Sequence, residues 1–173
     1  VCIAPGNHDF LGGGSVWETV DWPENVHIFR EPRMTALELP ELCAVVHGAA
    51  FTAPEQAESL LAGFAAPADD RVHLGLLHGE IDPAENRYDP LGKAEIAASG
   101  LAYLALGHIH KRTEPLRFGN TVCAWPGCPE GRGFDELGEK GFYQGTVTDD
   151  GQVELNFVPF ARHRYEILEV DVT

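Results

Sequence analysis

Basic residues are scarce in this sequence. Its 173 residues include 12 Lys and Arg against 27 Asp and Glu, which gives a formal net charge of −15. So much negative charge repels a phosphate backbone unless cations or a local basic patch intervene, which disfavours a simple nucleic-acid-binding module. An enzyme that binds phosphates through metal ions is compatible with this charge, because divalent cations reverse the local electrostatic field.

Long apolar runs and paired cysteines are also missing. No stretch approaches the ~20 apolar residues of a membrane-spanning helix, so we expect no membrane partner. The absence of any Cys-x-x-Cys pair excludes zinc-ribbon and dithiol redox motifs. We interpret the cysteines as reduced core residues, which favours a cytoplasmic protein. The four are Cys2, Cys43, Cys123 and Cys128.

One segment stands out among the residues that are present. Gly107-His108-Ile109-His110 follows the apolar run 101–106, which predicts a buried strand that ends at the rim of a sheet. In an extended chain His108 and His110 share a face, and two converging imidazoles can hold a metal ion. For the tetrapeptide alone, a pair of surface histidines in a turn is the better interpretation.

Two segments upstream repeat the pattern of an apolar strand followed by histidine and glycine. They are Gly6-Asn7-His8-Asp9 after residues 1–5, and His78-Gly79-Glu80 after residues 71–77. In α/β proteins, the loops at the carboxyl ends of strands gather into one crevice where ligands bind. The oxygen and nitrogen donors of Asn and His suit manganese, zinc or iron better than magnesium or calcium.

Short apolar runs bounded by turn residues predict most of the other elements as strands. The predicted strands cover residues 1–5, 26–29, 35–39, 43–47, 71–77, 101–106, 115–118, 121–125, 141–148, 152–160 and 163–172. We therefore expect a single domain in two parts: residues 1–112 carry the histidine motifs, and residues 113–173 form an antiparallel β meander.

Three short helices are predicted between the strands. Ser15 and Thr52 each begin a capping-box pattern, which predicts one helix to about residue 20 and another over residues 56–64. A third helix is predicted over residues 93–99.

The three histidine motifs occur in the order found in a known family. Residues 6–9, the single His78 and residues 107–110 resemble the later signature motifs of the calcineurin-like metallophosphoesterase superfamily. The resemblance implies an α/β fold, namely the C-terminal part of a four-layer α/β/β/α sandwich in which helices flank two mixed β-sheets.

Within that superfamily the chain is similar to the SbcD-type DNA repair exonucleases. The similarity rests on residues 105–111 and 125–134, where Pro-Gly-Cys-Pro replaces the usual Pro-Gly-Ser-Pro at Cys128, and it continues through residues 139–142. It implies a DNA exonuclease subunit that hydrolyses phosphodiester bonds and pairs with an SbcC-type ATPase.

The resemblance also implies roles for individual side chains. His8 would stabilise the transition state or protonate the leaving oxygen. Asp9 would orient His8 or, as an alternative, cap its own loop. One metal ion would be bound by Asn7, His78 and His108, and a second ion would be bound by His110.

Three cations beside the motifs are candidates for binding the substrate backbone, with solvated surface charge as the alternative. They are Lys111, Arg112 and Arg132. Glu80 and Asp82 are predicted to face solvent, and His47 is predicted to be structural.

For the complete domain the resemblance implies two divalent ions, manganese first and zinc or iron as alternatives. Two earlier family motifs, Asp-x-His and Gly-Asp-x-x-Asp, supply the remaining ligands and do not occur in this sequence. We therefore expect an N-terminally truncated domain over residues 1–173 that binds at most one ion weakly and is inactive by itself.

Two other functions stay open from the sequence. A phosphatase or phosphodiesterase that acts on nucleotides or phosphoprotein keeps the same chemistry, and the negative charge favours it. A non-catalytic fragment or regulatory subunit would carry an incomplete metal site.

Overall fold

The computed structural model describes residues 1–85 and 87–172, which form a mixed α/β chain. The strands are β1 (Cys2–Ile3), β2 (His27–Ile28), β3 (Thr35–Leu39), β4 (Ala44–Gly48), β5 (Val72–His78), β6 (Glu80–Ile81), β7 (Pro90–Leu91), β8 (Tyr103–Gly107), β9 (Leu116–Phe118), β10 (Thr121–Ala124), β11 (Gly141–Val147) and β12 (Val153–Pro159). The helices are α1 (Val16–Thr19), α2 (Lys93–Ala98) and a 3-10 helix (Pro40–Leu42). The predicted α/β class is confirmed, with few helices and a central mixed sheet consistent with a metallophosphoesterase-type sandwich.

The central sheet has six strands in the order β3-β4-β5-β8-β10-β9. Its four inner strands pair in parallel, and the edge strands β3 and β9 pair antiparallel to their neighbours. The inner strands come from apolar runs, as buried parallel strands do, and β4 is buried along its whole length. Because β5 and β8 are parallel and in register, His78 lies opposite Gly107, and two of the three histidine motifs end side by side.

Three pairs of strands lie outside the central sheet. Strands β1 and β2 pair in parallel, as do β6 and β7, whereas β11 and β12 form an antiparallel hairpin. Strand β1 leads directly into the motif at residues 6–9. The hairpins β9–β10 and β11–β12 confirm two predicted turns, but β10 also pairs in parallel with β8, so the last third of the chain is not a purely antiparallel meander.

The predicted helix over residues 56–64 is wrong. In a helix the Leu60 N–H would donate a hydrogen bond to the Gln56 carbonyl. Here both groups form hydrogen bonds with Asp89 instead. The Leu60 N–H donates to Asp89 Oδ1 at 2.6 Å, and the Asp89 N–H donates to the Gln56 carbonyl at 2.7 Å. Asp89 is fully buried, so its carboxylate depends on such donors. The segment therefore forms turns and a β-bridge between Gln56 and Tyr88.

The predicted strand over residues 163–172 is also wrong. No strand pairing is found in these residues, all of which the structure describes. The main-chain N–H groups of Arg162 and His163 donate to the Glu130 carboxylate at 2.9 and 3.0 Å, so side-chain contacts hold the start of the segment. An alternating apolar pattern forms a strand only beside a partner. Without one, the apolar side chains stay exposed, namely Ile167, Leu168, Val170 and Val172.

Two local predictions hold only in part. Helix α1 begins after Ser15 as predicted, but the Ser15 side chain makes no capping hydrogen bond, and the helix instead buries Trp17. All four cysteines are free, but only Cys123 is buried, and Cys43 is exposed at the end of the 3-10 helix with a φ of 46°. Within the described residues, no helix combines the length and apolar character needed to traverse a bilayer.

Two buried histidines form a polar pair within the central sheet. His47 Nε2 and His73 Nδ1 are 2.9 Å apart, and His73 Nε2 lies 3.1 Å from Asp69 Oδ1. His47 is only 4% exposed. Burial, and after it the charges of His73 and Arg71, lowers the pKa of His47 to about 4. His47 is therefore a neutral structural residue near neutral pH, as predicted.

We expect His47→Gln to make the free energy of unfolding less sensitive to acid. In the folded protein the pKa of His47 is about 4, below its ordinary value of 6.5, so the unfolded chain binds the proton first as the pH falls. The wild type consequently loses stability from about pH 7 to about pH 4, and His47 alone contributes a loss of about 3 kcal/mol. Urea unfolding at the two pH values measures this effect.

His163→Gln is the control for this measurement, because it removes an imidazole whose side chain is 75% exposed. Asp89 acts in the opposite direction, since burial raises the pKa of its carboxyl to about 7. Each variant is therefore compared with the wild type at the same pH. An acid sensitivity of His47→Gln equal to that of the wild type would contradict the expectation.

Candidate metal centre

Most of the predicted site residues line one cleft of about 540 Å³. The loops after β1, β5 and β8 supply these side chains, as the strand-end pattern predicted. The lining residues are Asn7, His8, Asp9, His78, His108, His110 and Arg132.

Two ligand-type atoms converge on the imidazole of His78. Its Nε2 lies 2.8 Å from Asn7 Oδ1 and 3.3 Å from His108 Nδ1. Atoms that bind one ion at about 2.1 Å lie about 3 Å from one another, so this spacing matches a shared coordination sphere. The amide oxygen and imidazole nitrogens of this set fit a divalent transition metal.

Two glycines leave the space that the His78 ring occupies. A Cβ at Gly6 would overlap the His78 imidazole, and a Cβ at Gly107 would lie 2.9 Å from its Nδ1. The edge of Phe51 closes another side, with ring centroids 5.4 Å apart. Burial, and then the charges of His108 and other nearby histidines, lowers the pKa of His78 to about 4, which keeps the imidazole neutral and suited to metal binding.

The end of β8 is a sharp bend rather than an extended strand. His108 has a φ of 90°, a region that residues other than glycine rarely adopt. The prediction that His108 and His110 share a face of an extended chain is therefore wrong, although both line the cleft. The Trp125 indole N–H holds the bend, because it donates to the carbonyls of Gly79 and Gly107 at 3.1 and 2.9 Å.

Glu80 orients His108. Its Oε1 accepts from His108 Nε2 at 2.8 Å, which leaves Nδ1 of that ring toward His78. A carboxylate on the second nitrogen of a ligand histidine fixes the tautomer and the ring orientation. Glu80 is half-buried, so the prediction that it faces solvent is wrong. The same prediction holds for Asp82, which is exposed and pairs with Lys93 at 2.9 Å.

Glu136 holds His110 in the same way. Its Oε1 lies 2.6 Å from His110 Nδ1, and its Oε2 accepts from the Arg132 N–H at 2.8 Å. The Arg132 N–H first, and then His110, lowers the pKa of Glu136, which stays ionised although it is buried. Its carboxylate, His110 and the Cys128 thiol form a group whose ligand atoms lie within 4.8 Å of one another.

Sequence reasoning missed Glu136 as a functional residue. It belongs to no motif. The only signal was its position two residues after the segment 125–134 that resembles the nuclease family.

His8 and Asp9 take different positions at the rim of the cleft. His8 is exposed there, where it can reach a bound substrate. Asp9 Oδ1 accepts from the Gly6 N–H at 2.9 Å, which is the loop-capping alternative predicted for this residue. The Trp17 indole N–H donates to the Asp9 carbonyl and fixes the loop against α1.

The predicted substrate-binding cations separate into two groups. Arg132 lines the cleft, and Lys111 lines a pocket that adjoins it. Arg112 instead places its guanidinium 4.3 Å from the centre of the Phe157 ring and 3.6 Å from the Glu114 carboxylate.

Comparison with known proteins finds a similar metallophosphoesterase. No family model matches the chain. The whole chain aligns over 178 residues, at 34% identity, with the uncharacterized metallophosphoesterase YhaO of Bacillus subtilis (strain 168). The chain spans 43% of the length of that relative. A similarity that covers the whole chain, including the three motifs that meet in the cleft, supports the metallophosphoesterase superfamily for this protein.

Proposed function

We propose that the protein is a metal-dependent phosphoesterase, and more specifically a DNA exonuclease subunit that hydrolyses phosphodiester bonds. The observation that carries this proposal is the convergence of Asn7, His78 and His108 from three strand ends, with His110 and His8 in the same cleft. The chain spans less than half of its curated relative, so the proposal concerns the full-length protein that contains this chain.

The residues of the cleft supply part of a site for two divalent ions, and the two earlier family motifs would supply the remaining ligands in the full-length protein. We assign Asn7, His78 and His108 to one ion and His110 to the other, and manganese is the metal we propose. In such a site the ions neutralise phosphate charge and lower the pKa of the attacking water. The half-buried Glu80 and the buried Glu136 add negative charge behind two of these histidines, which favours a cation in front of them.

The chain's own side chains supply the other parts of the chemistry. His8 is exposed at the rim, so it can donate a proton to the leaving oxygen of a bound phosphoester. Arg132 lines the same cleft and can pair with a non-bridging phosphate oxygen. Asp9 acts indirectly, because it closes the loop that presents Asn7 and His8.

The nuclease assignment depends on the resemblance of residues 105–111 and 125–134 to SbcD-type exonucleases. These segments lie together, since the Cys128 N–H donates to the His110 carbonyl at 3.2 Å and Trp125 holds the end of β8. An SbcC-type ATPase partner and a cytoplasmic location belong to the same proposal. The net charge of −15 favours a second candidate, a phosphodiesterase or phosphatase that acts on nucleotides or phosphoprotein.

Manganese should stimulate degradation of linear DNA by the full-length protein, and His8→Ala should lower kcat by a factor of about 10² or more because a proton donor is lost. His8 is no metal ligand in this proposal, so manganese binding by His8→Ala should equal that of the wild type in isothermal titration. His163→Ala removes an exposed imidazole outside the cleft and serves as the control.

The kind of substrate that is hydrolysed distinguishes the two candidate functions in this experiment. Hydrolysis of small nucleotide or protein phosphoesters, without degradation of DNA, would favour the second candidate. Wild-type kinetics in His8→Ala would contradict the role of His8. A wild type that hydrolyses no phosphoester with manganese would contradict the enzymatic proposal as a whole.

Removal of the Glu136 carboxylate should weaken the site that includes His110. We expect Glu136→Ala to lower manganese affinity about 10- to 100-fold, since loss of a carboxylate behind a ligand histidine has this effect in other metal sites. Glu136→Gln keeps an acceptor for His110 and should lose less.

Glu139→Gln is the matched control for this series, because Glu139 is an exposed glutamate that pairs with Arg164. Isothermal titration with manganese gives the affinities, and circular dichroism checks the fold. Equal affinity in Glu136→Ala and the wild type would show that Glu136 does not support a metal ligand.

A further inference from the structure

A pocket of about 470 Å³ adjoins the proposed metal cleft at the Gly-His-Ile-His loop. We call it the adjoining pocket. It shares His108 and His110 with the cleft, so the two spaces are adjacent. Its volume is in the range of pockets that hold small organic ligands. The lining residues used below are Ile109, Lys111, Phe134, Asp135, Leu137 and Lys140.

Phe134 presents an aromatic surface in this pocket. It is 67% exposed, and its described ring contact is an edge contact with Tyr165 at 5.4 Å between centroids. Single exposed apolar side chains are common on protein surfaces, whereas exposed apolar side chains that lie together in a pocket mark a binding site. Leu137, 41% exposed, and Ile109 extend the apolar surface around it. A flat aromatic ring with apolar neighbours is the surface on which nucleic-acid bases stack.

Two lysines place positive charge beside this surface. Lys111 is exposed in the pocket, whereas Lys140 is only 6% exposed. Among the described residues, the Lys140 ammonium donates to the main-chain carbonyl of His110, at 3.3 Å, rather than to a carboxylate. Of the acidic groups that line the pocket, Glu136 is engaged by His110, which leaves Asp135 as the opposing charge. In a chain of net charge −15, an ammonium pair next to a catalytic cleft favours an anionic substrate.

We propose that the adjoining pocket binds the nucleotide next to the scissile phosphate, with its base stacked on Phe134 and its phosphate near Lys111 and Lys140. The inference deepens the proposed function, because it assigns to the phosphoesterase a substrate that carries nucleobases. A phosphopeptide would use the lysines but would have no planar base for Phe134.

Binding of two single strands separates the base from the phosphate contribution. The probes are a fluorescein-labelled 12-residue oligo-dT and an abasic strand with the same phosphates, titrated with full-length protein in EDTA so that no cleavage occurs. We expect the wild type to prefer oligo-dT. Phe134→Ala should weaken oligo-dT binding about fivefold or more, the effect of losing one base–aromatic stack, and leave the abasic strand unchanged.

The chain offers matched controls for both parts of the pocket. Phe160 is 66% exposed and lies outside the pocket, so Phe160→Ala should leave both affinities at the wild-type level. Lys111→Met and Lys140→Met should weaken both strands alike and reduce the salt dependence of log K by about 0.7 for each lost phosphate contact, whereas Lys93→Met should not. Lys111→Met keeps this part testable if the buried Lys140 is needed for folding.

Several outcomes would overturn the inference. These are equal affinities of Phe134→Ala and Phe160→Ala for oligo-dT, a loss in Phe134→Ala that is the same for both strands, or no preference of the wild type for bases. The failure of the proposed function is seen separately, as absence of manganese-dependent hydrolysis in the wild type, because the titrations contain no metal.

Discussion

The site depends on the fit of one imidazole between two stretches of backbone. His78 occupies a gap that closes as soon as a Cβ is added at Gly6 or Gly107. Gly107 stands opposite His78 because β5 and β8 are parallel and in register, and Trp125 fixes the two strand ends through one N–H group. Backbone geometry therefore brings the loop at residues 6–9 close enough for Asn7 to share the His78 ring nitrogen with His108. The position of His78 therefore follows from the sheet register and from the missing side chains of Gly6 and Gly107.

Carboxylates beside the histidines add an electrostatic contribution to the site. Each histidine of the Gly-His-Ile-His loop has a carboxylate on one ring nitrogen, Glu80 for His108 and Glu136 for His110. His78, by contrast, is held neutral by burial beside other imidazoles. The buried Glu136 carboxylate and the half-buried Glu80 place negative charge behind the ring nitrogens of these histidines. The preformed orientation of the rings and this negative charge both favour divalent metal binding in this cleft.

The sequence predicted this site better than it predicted the chain around it. Strand ends with His and Gly are local patterns, and the parallel strands β5 and β8 bring two such ends to one edge of the central sheet, so His78 and His108 could be placed together without coordinates. Asn7 reaches them from β1, which pairs with β2 outside the central sheet. The helix expected over residues 56–64 failed because Asp89, distant in sequence, takes the backbone groups that a helix needs. For a related reason, Glu80 was predicted to face solvent and Glu136 was not singled out from the sequence. A charged residue in a loop is predicted to face solvent unless its tertiary partner is known, and no local sequence pattern encodes that partner.

Strong negative charge and a phosphate-cleaving site are compatible if recognition is short-ranged. At physiological ionic strength, exposed charges interact over about 8 Å, so carboxylates elsewhere on the surface scarcely affect the cleft itself. The cations that matter for the proposed function are therefore the few in reach, Arg132 in the cleft and the lysines of the adjoining pocket. An acidic surface of this kind does not retain a long duplex along its length, whereas a strand end that enters the cleft would meet the proposed metal ligands, the lysines and an aromatic ring together. For the proposed nuclease, this charge distribution therefore favours contact with the end of DNA over binding along the helix.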